Sequence, residues 1–103
     1  MSLDPLNSEQ IETALSSLPG WAVVTDGETN KLAVEYRFAD FNEAMGFITR
    51  MALIAEQHHH HPEIFNVWST VKIALSTHDA GDRVTRKDVD LARAITALGG
   101  KLR

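Results

Sequence analysis

A chain of 103 residues with 44% hydrophobic content suits one small domain around a single core, here read as spanning residues 1–103. The net charge of −4 argues against direct nucleic-acid binding, which needs clustered Lys and Arg, and the absence of cysteine excludes disulfides, a thiolate nucleophile and Cys-based zinc ligation. The amino-terminal segment has no basic stretch followed by an apolar one, and no run approaches the roughly 20 apolar residues of a membrane span, so a soluble cytoplasmic domain with no membrane partner is expected.

Along the chain, Ser8 is placed as the cap of a first helix carrying Ile11, Leu15 and Leu18, which Pro19-Gly20 stops. Trp21–Val24 reads as a strand, with Trp21 in the core. Asp26-Gly27-Glu28-Thr29-Asn30 is turn chemistry, and Lys31–Phe38 alternates Leu32, Val34 and Tyr36 against Lys31, Ala33 and Glu35, completing a hairpin. Asp40 caps a helix to about Gln57, with Phe41, Ala44, Met45, Ile48, Ala52 and Ala55 as its main apolar stripe. Phe47, Met51 and Ile54 widen that stripe, which means either a deeply buried helix or one that also packs on another subunit. Since one side of a small sheet can bury only the first set, Phe47 and Met51 are expected at a contact between copies of the chain. Phe65–Trp68 and Val71–Thr77 form a second hairpin, with Trp68 on its outer face, and Thr85 caps a last helix through Ile95 and Leu98 to Gly99-Gly100. The order α-β-β-α-β-β-α predicts a two-layer α+β domain: a four-stranded antiparallel sheet with three helices.

The histidines are the unusual feature. Four of the five run consecutively at His58–His61, closed by Pro62, and the fifth, His78, follows a strand. Chain reversal brings the end of the middle helix, the end of the last strand and the start of the last helix to one edge of the sheet. Glu56, His60, His61, His78 and Asp88 converge there. A metal site is disfavoured: Pro62 pushes His61 out of helical geometry, adjacent histidines diverge, and there is no His-Glu-x-x-His pattern. Imidazoles beside carboxylates suit acid–base catalysis near neutral pH, such as elimination of water; a binding module with incidental histidines is the rival. Asp88 also completes a Thr85-x-x-Asp88 capping pattern, and Glu56 alone would pass for a solvated helix residue.

The stretch Glu56-Gln57-His58-His59-His60-His61-Pro62, then Phe65-Asn66-Val67-Trp68, Leu75-Ser76-Thr77-His78-Asp79 and Asp88, resembles the signature of the pterin-4a-carbinolamine dehydratases. Gly20-Trp21, Phe38-Ala39-Asp40-Phe41-Asn42 and Gly46-Phe47-Ile48-Thr49-Arg50 extend the likeness over roughly residues 8 to 98. The resemblance implies a hydro-lyase that converts 4a-hydroxytetrahydropterin to quinonoid dihydropterin and water without metal or organic cofactor. That reaction serves the tetrahydropterin cycle of aromatic amino-acid hydroxylases. By position it makes His60 and His78 the acid–base pair and His61 the group that holds the substrate from the opposite side. Glu56 and Asp88 orient these imidazoles, Pro62 belongs to the signature, and Thr77 and Asp79 offer backbone groups to the pterin. No role falls to His58 or His59. A homotetramer is implied, with sheets joined across a dimer edge. The alternatives it carries are a dimerisation cofactor of a transcription factor and another pterin-linked role such as molybdopterin metabolism. Two departures stand out: Ile64, where many members carry Trp, and a longer Gly81-Asp82-Arg83-Val84 connection.

Overall fold

The first helix, α1 (Ser8–Leu15), is capped by Asn7, one residue before the expected Ser8, because Asn7 and Gln10 satisfy each other's backbone amides. Asn7 Oδ1 accepts from Gln10 N at 2.8 Å and Gln10 Oε1 accepts from Asn7 N at 2.9 Å. With Ser8 as cap the returning side chain would be that of Ile11, which has no acceptor. Leu18 lies beyond the helix but is buried all the same. The computed structural model describes residues 3–100.

Strands β1 (Ala22–Asp26) and β2 (Thr29–Arg37) pair with Asp26 opposite Thr29, so the turn is only Gly27 and Glu28, tighter than the composition of residues 26–30 suggests. Gly27 takes φ +62°, which a two-residue hairpin turn requires. Helix α2 (Phe41–Gln57) is capped by Asp40, whose Oδ1 accepts from Glu43 N at 2.8 Å. Strands β3 (Glu63–Val67) and β4 (Thr70–Leu75) make the second hairpin, and helix α3 (Arg86–Thr96) closes the chain. Trp68 is not part of β3: it sits in the turn with φ +49° and is 72% exposed. The sheet order is β1-β2-β4-β3, antiparallel throughout, which makes the fold the expected α+β arrangement of three helices on a four-stranded sheet. No helix among the described residues is long and apolar enough to cross a membrane.

Leu32, Val34 and Tyr36 of β2 and Val71, Ile73 and Leu75 of β4 point to one face, where α2 and α3 cover them with Phe47, Met51, Leu91 and Ile95. Trp21 is buried as expected and donates Nε1–H to Thr96 Oγ1 at 2.9 Å.

The orientation of α2 corrects the reading of its stripes. Phe47 and Met51, assigned to a contact between copies, are 1% and 0% exposed and belong to the core. The core-facing line runs Ala44, Phe47, Met51, Ala55: two alanines let the helix approach the sheet, and Phe47 packs its ring at 5.2 Å from that of Tyr36 and 5.0 Å from that of Phe38. Phe41 and Met45, assigned to the main stripe, face outward at 48% and 38% exposure.

Since β4 runs antiparallel to β2, with Leu32 opposite Leu75, one end of the sheet gathers the β1–β2 turn, the start of β3 and the end of β4. Helix α2, returning from the end of β2, finishes at that end, where α3 also begins.

Candidate active site

The histidine run is the termination of α2. His58 is its C-cap, and His59 takes a left-handed conformation, φ +52°. His59 N–H returns to Glu56 O at 3.0 Å and His60 N–H to Ala55 O at 3.2 Å. This paired closure normally recruits glycine at the left-handed position, and it reverses the chain. His60 is thereby turned inward and buried, whereas His61 stays exposed ahead of the half-buried Pro62, which leads into β3.

His60 Nε2 lies 2.5 Å from Asp88 Oδ1, and Asp88 is 0% exposed. The other oxygen, Oδ2, accepts from Thr85 N at 2.8 Å and from the Thr77 hydroxyl at 2.7 Å. Thr77 has then spent its one hydroxyl proton, so the 2.7 Å contact between the two threonines is donated by Thr85, whose oxygen accepts in turn from Lys87 N at 3.2 Å. Asp88 thus both completes the capping box that Thr85 opens on α3 and partners His60. Its carboxylate oxygen accepts a hydrogen bond from Nε2–H, which leaves Nδ1 of His60 as the nitrogen able to exchange a proton.

The other two histidines make looser pairs. His61 Nε2 lies 2.8 Å from Glu56 Oε1, with both side chains exposed. His78 opens a single turn of 3₁₀ helix, His78–Ala80, and its Nδ1 is 3.1 Å from Asp82 Oδ1. The hydrogen bond to Asp82, then the charge of Asp82, then that of Asp79, hold the His78 imidazolium above the usual histidine range.

A hollow of about 290 Å³ is lined by residues 59–61 and 76–79 together with Lys87. His60, His61, Thr77, His78 and Asp79 therefore share one depression. Asp88 and Glu56 do not line it and reach it through His60 and His61. Trp68 caps the far turn of the β3–β4 hairpin, away from this end. Lys87, Ser76, Thr85 and Asp82 were absent from the site read in the sequence. In the sequence Thr85 shows only as a helix cap, and the one signal for Lys87 is its place next to Asp88 in the first turn of α3. A larger concavity of about 470 Å³ lies on the open face of the sheet and includes Lys31, Phe65 and Lys72 but no histidine. Among the described residues no group of three or more His, Asp or Glu side chains is placed to hold a metal ion. The arrangement offers proton donors and acceptors on several sides of one small space.

The sequence profile of the family described as Pterin 4 alpha carbinolamine dehydratase matches residues 4–98. The chain belongs to this family. A protein of Rhodopseudomonas palustris (strain BisB18), provisionally named pterin-4-alpha-carbinolamine dehydratase, is 50% identical over 97 residues, 94% of this chain and 93% of its own length. One of Bradyrhizobium sp. (strain ORS 278), with the same provisional name, is 46% identical, covering 97% of each chain. The crystal structure of a transcriptional coactivator/pterin dehydratase from Brucella melitensis superposes with a TM-score of 0.85 at 37% identity, covering 94% of this chain and all of that one. A pterin dehydratase-like RuBisCO assembly factor of the α-carboxysome, 22% identical with a TM-score of 0.63 over 80% of this chain and 92% of its own, shares the fold.

Proposed function

We propose that the chain dehydrates a 4a-hydroxytetrahydropterin to quinonoid dihydropterin. The observation that carries the reading is the meeting of His60, His61 and His78, each paired with a carboxylate, round one hollow in a member of this family. In the reaction the C4a hydroxyl takes up a proton and leaves as water, the N5 hydrogen departs as a proton, and the electrons of the N5–H bond form the C4a=N5 double bond. His60 and His78 serve as the acid–base pair, and His61 holds and polarises the pterin from the other side. Asp88 and Glu56 act through His60 and His61, and backbone groups of Thr77 and Asp79 bind the ring. The reaction serves tetrahydropterin recycling downstream of an aromatic amino-acid hydroxylase in the cytoplasm, a separate reductase taking the quinonoid product back to tetrahydropterin, and the dehydration itself needs no cofactor.

The direct test supplies enzymatically generated 4a-hydroxytetrahydropterin and follows the quinonoid product by absorbance. Product forming no faster than in buffer overturns the reading. Exhaustive chelation is expected to leave the rate unchanged, since histidine acid–base chemistry requires no Lewis acid; activity lost together with a stoichiometric metal would replace the mechanism with a metal-assisted one.

Homo-oligomerisation is part of the same proposal, now through the outward face of α2. Phe41, Met45 and Ala52 are exposed there beside the half-buried Ile48, leaving a contiguous apolar strip in water. Sedimentation equilibrium is expected to give a multimer, most simply a tetramer, that Phe41→Glu with Met45→Glu splits, because buried unpaired carboxylates are strongly disfavoured. A monomeric unmodified chain would instead favour docking of a different protein on this face, as in the cofactor role.

A further inference from the structure

We infer that Asp82 is a positioning residue for His78, fixing which ring nitrogen of that imidazole exchanges a proton at the histidine hollow. The inference rests on the proposed dehydration and adds a residue to it. The His78 side chain is 91% exposed, so packing does little to orient it. What holds the ring is the hydrogen bond from Nδ1 to Asp82 Oδ1 at 3.1 Å. With Nδ1 committed as a donor, Nε2 is the nitrogen left to gain or lose a proton.

The backbone beneath Asp82 explains why the carboxylate is available. Asp82 adopts φ +57°, a left-handed conformation that glycine takes more readily, directly after Gly81 at φ +77°. Its own main chain is fully engaged: Asp82 N–H donates to Thr77 O at 3.1 Å and Asp82 O accepts from Asn30 N at 3.1 Å. The flanking residues are tied to the β1–β2 hairpin as well, with Arg83 Nε donating to Glu28 O at 3.0 Å and Asn30 Oδ1 accepting from Val84 N at 2.7 Å. None of these bonds uses the Asp82 side chain. Glycine would suit the turn at least as well, yet the position carries a carboxylate bonded to a histidine of the hollow.

Other charges face the same imidazole. Asp79 lies on its own turn, Lys87 reaches the hollow from α3, and residues 59–61 reach it from the end of α2. On the far side of Asp82 a second hollow adds Asp26, Lys31 and Glu63. Asp82 and Asp79 both strengthen the hold of His78 on its proton, with Asp82 dominant.

Two substitutions in the full chain test the inference. Asp82→Gly removes the acceptor and suits the backbone. Asp82→Asn keeps an acceptor, tolerates the left-handed conformation and removes the charge. Ring ¹⁵N and ¹³C spectra of His78 report its tautomer and titration independently of catalysis. In the unmodified chain neutral His78 is expected as the Nδ1–H form. In Asp82→Gly it shifts toward Nε2–H and titrates at lower pH, kcat falls by about tenfold or more with KM little changed, and the pH–rate limb set by His78 moves to lower pH. Asp82→Asn restores the tautomer and part of kcat, while its limb stays at the lower pH. Unchanged ring spectra in Asp82→Gly overturn the inference, as does an altered tautomer with unaltered kcat and pH profile. An unmodified chain that turns over no pterin overturns the proposed dehydration, while the spectra still decide whether Asp82 fixes the ring.

Discussion

His60 and His78 each hydrogen-bond a carboxylate, but the two pairs occupy opposite surroundings. In the His60–Asp88 pair the carboxylate is fully buried and only the edge of the imidazole reaches the hollow; that carboxylate also serves Thr77, the amide of Thr85 and the start of α3. The His78–Asp82 pair stands in water on a turn that would close without it. One pair is part of the reason the protein is folded; the other is carried by a fold already complete. Buried in this way, a hydrogen-bonded network is costly to break, because the remaining partners lose both solvent and counterpart. An exposed pair can gain or lose its proton with little effect elsewhere.

The comparison can be broken by substitution, beginning with the largest effect. Asp88→Ala removes an acceptor from His60, Thr77 and Thr85 together, and is expected to cost about 3–5 kcal/mol in denaturant unfolding as well as nearly all activity. A loss no greater than that of an ordinary helix cap, about 1 kcal/mol, would mean that the buried network contributes little. His60→Ala and His78→Ala are each expected to lower dehydration by about 10²–10⁴-fold, the usual worth of a positioned acid or base. Only His60→Ala should also lower the unfolding midpoint; equal destabilisation by both would erase the contrast. His59→Gly relaxes the left-handed position that ends α2 and is expected to stabilise the fold by about 1 kcal/mol. Thermal unfolding would show it.

The smallest effect concerns pH. Because the folded state raises the affinity of His78 for its proton, the pair's contribution is fully present below the pKa of the unfolded histidine, about 6.5, and disappears as pH rises through the folded value. Asp82→Gly abolishes it. The difference in unfolding midpoint between the unmodified chain and this variant should therefore favour the unmodified chain more at about pH 5.5 than at about pH 8.5, because the contribution declines as His78 loses its proton. A difference that does not vary with pH, or grows toward alkaline pH, would show that the carboxylate does not stabilise the imidazolium.

The succession of helices and strands and the convergence of the histidine edge were legible because alternation in Lys31–Phe38, the glycine turn and the Asp40 cap are local signals, and chain reversal then orders the ends. The rotation of α2 was not. Its apolar residues run nearly all round the helix, so periodicity alone does not say whether Phe47 or Phe41 faces the sheet; the clearance allowed by Ala44 and Ala55 decides it. The inward turn of His60 was hidden for a related reason: it depends on a left-handed His59, where a sequence reading looks for glycine. Asp82 was missed because it owes its place in the site to the path of a connection, which no repeat or alternation encodes; Lys87, in the first turn of α3, is signalled only by its adjacency to Asp88.

The pairing of β2 with β4 has a consequence for how the site comes into being. These central strands are joined through α2 and β3, so their register, Leu32 to Leu75 and Arg37 to Thr70, closes a long loop, whereas each hairpin can form from neighbours in sequence. Neither hairpin alone holds the site, and the end of α2, the end of β4 and the start of α3 meet only once the long-range pairing is made. In refolding, the buried His60–Asp88 contact should therefore appear with the slowest cooperative step rather than with early helix signal. Partly folded chains would be inert toward substrate, and recovery of activity would measure completion of the sheet.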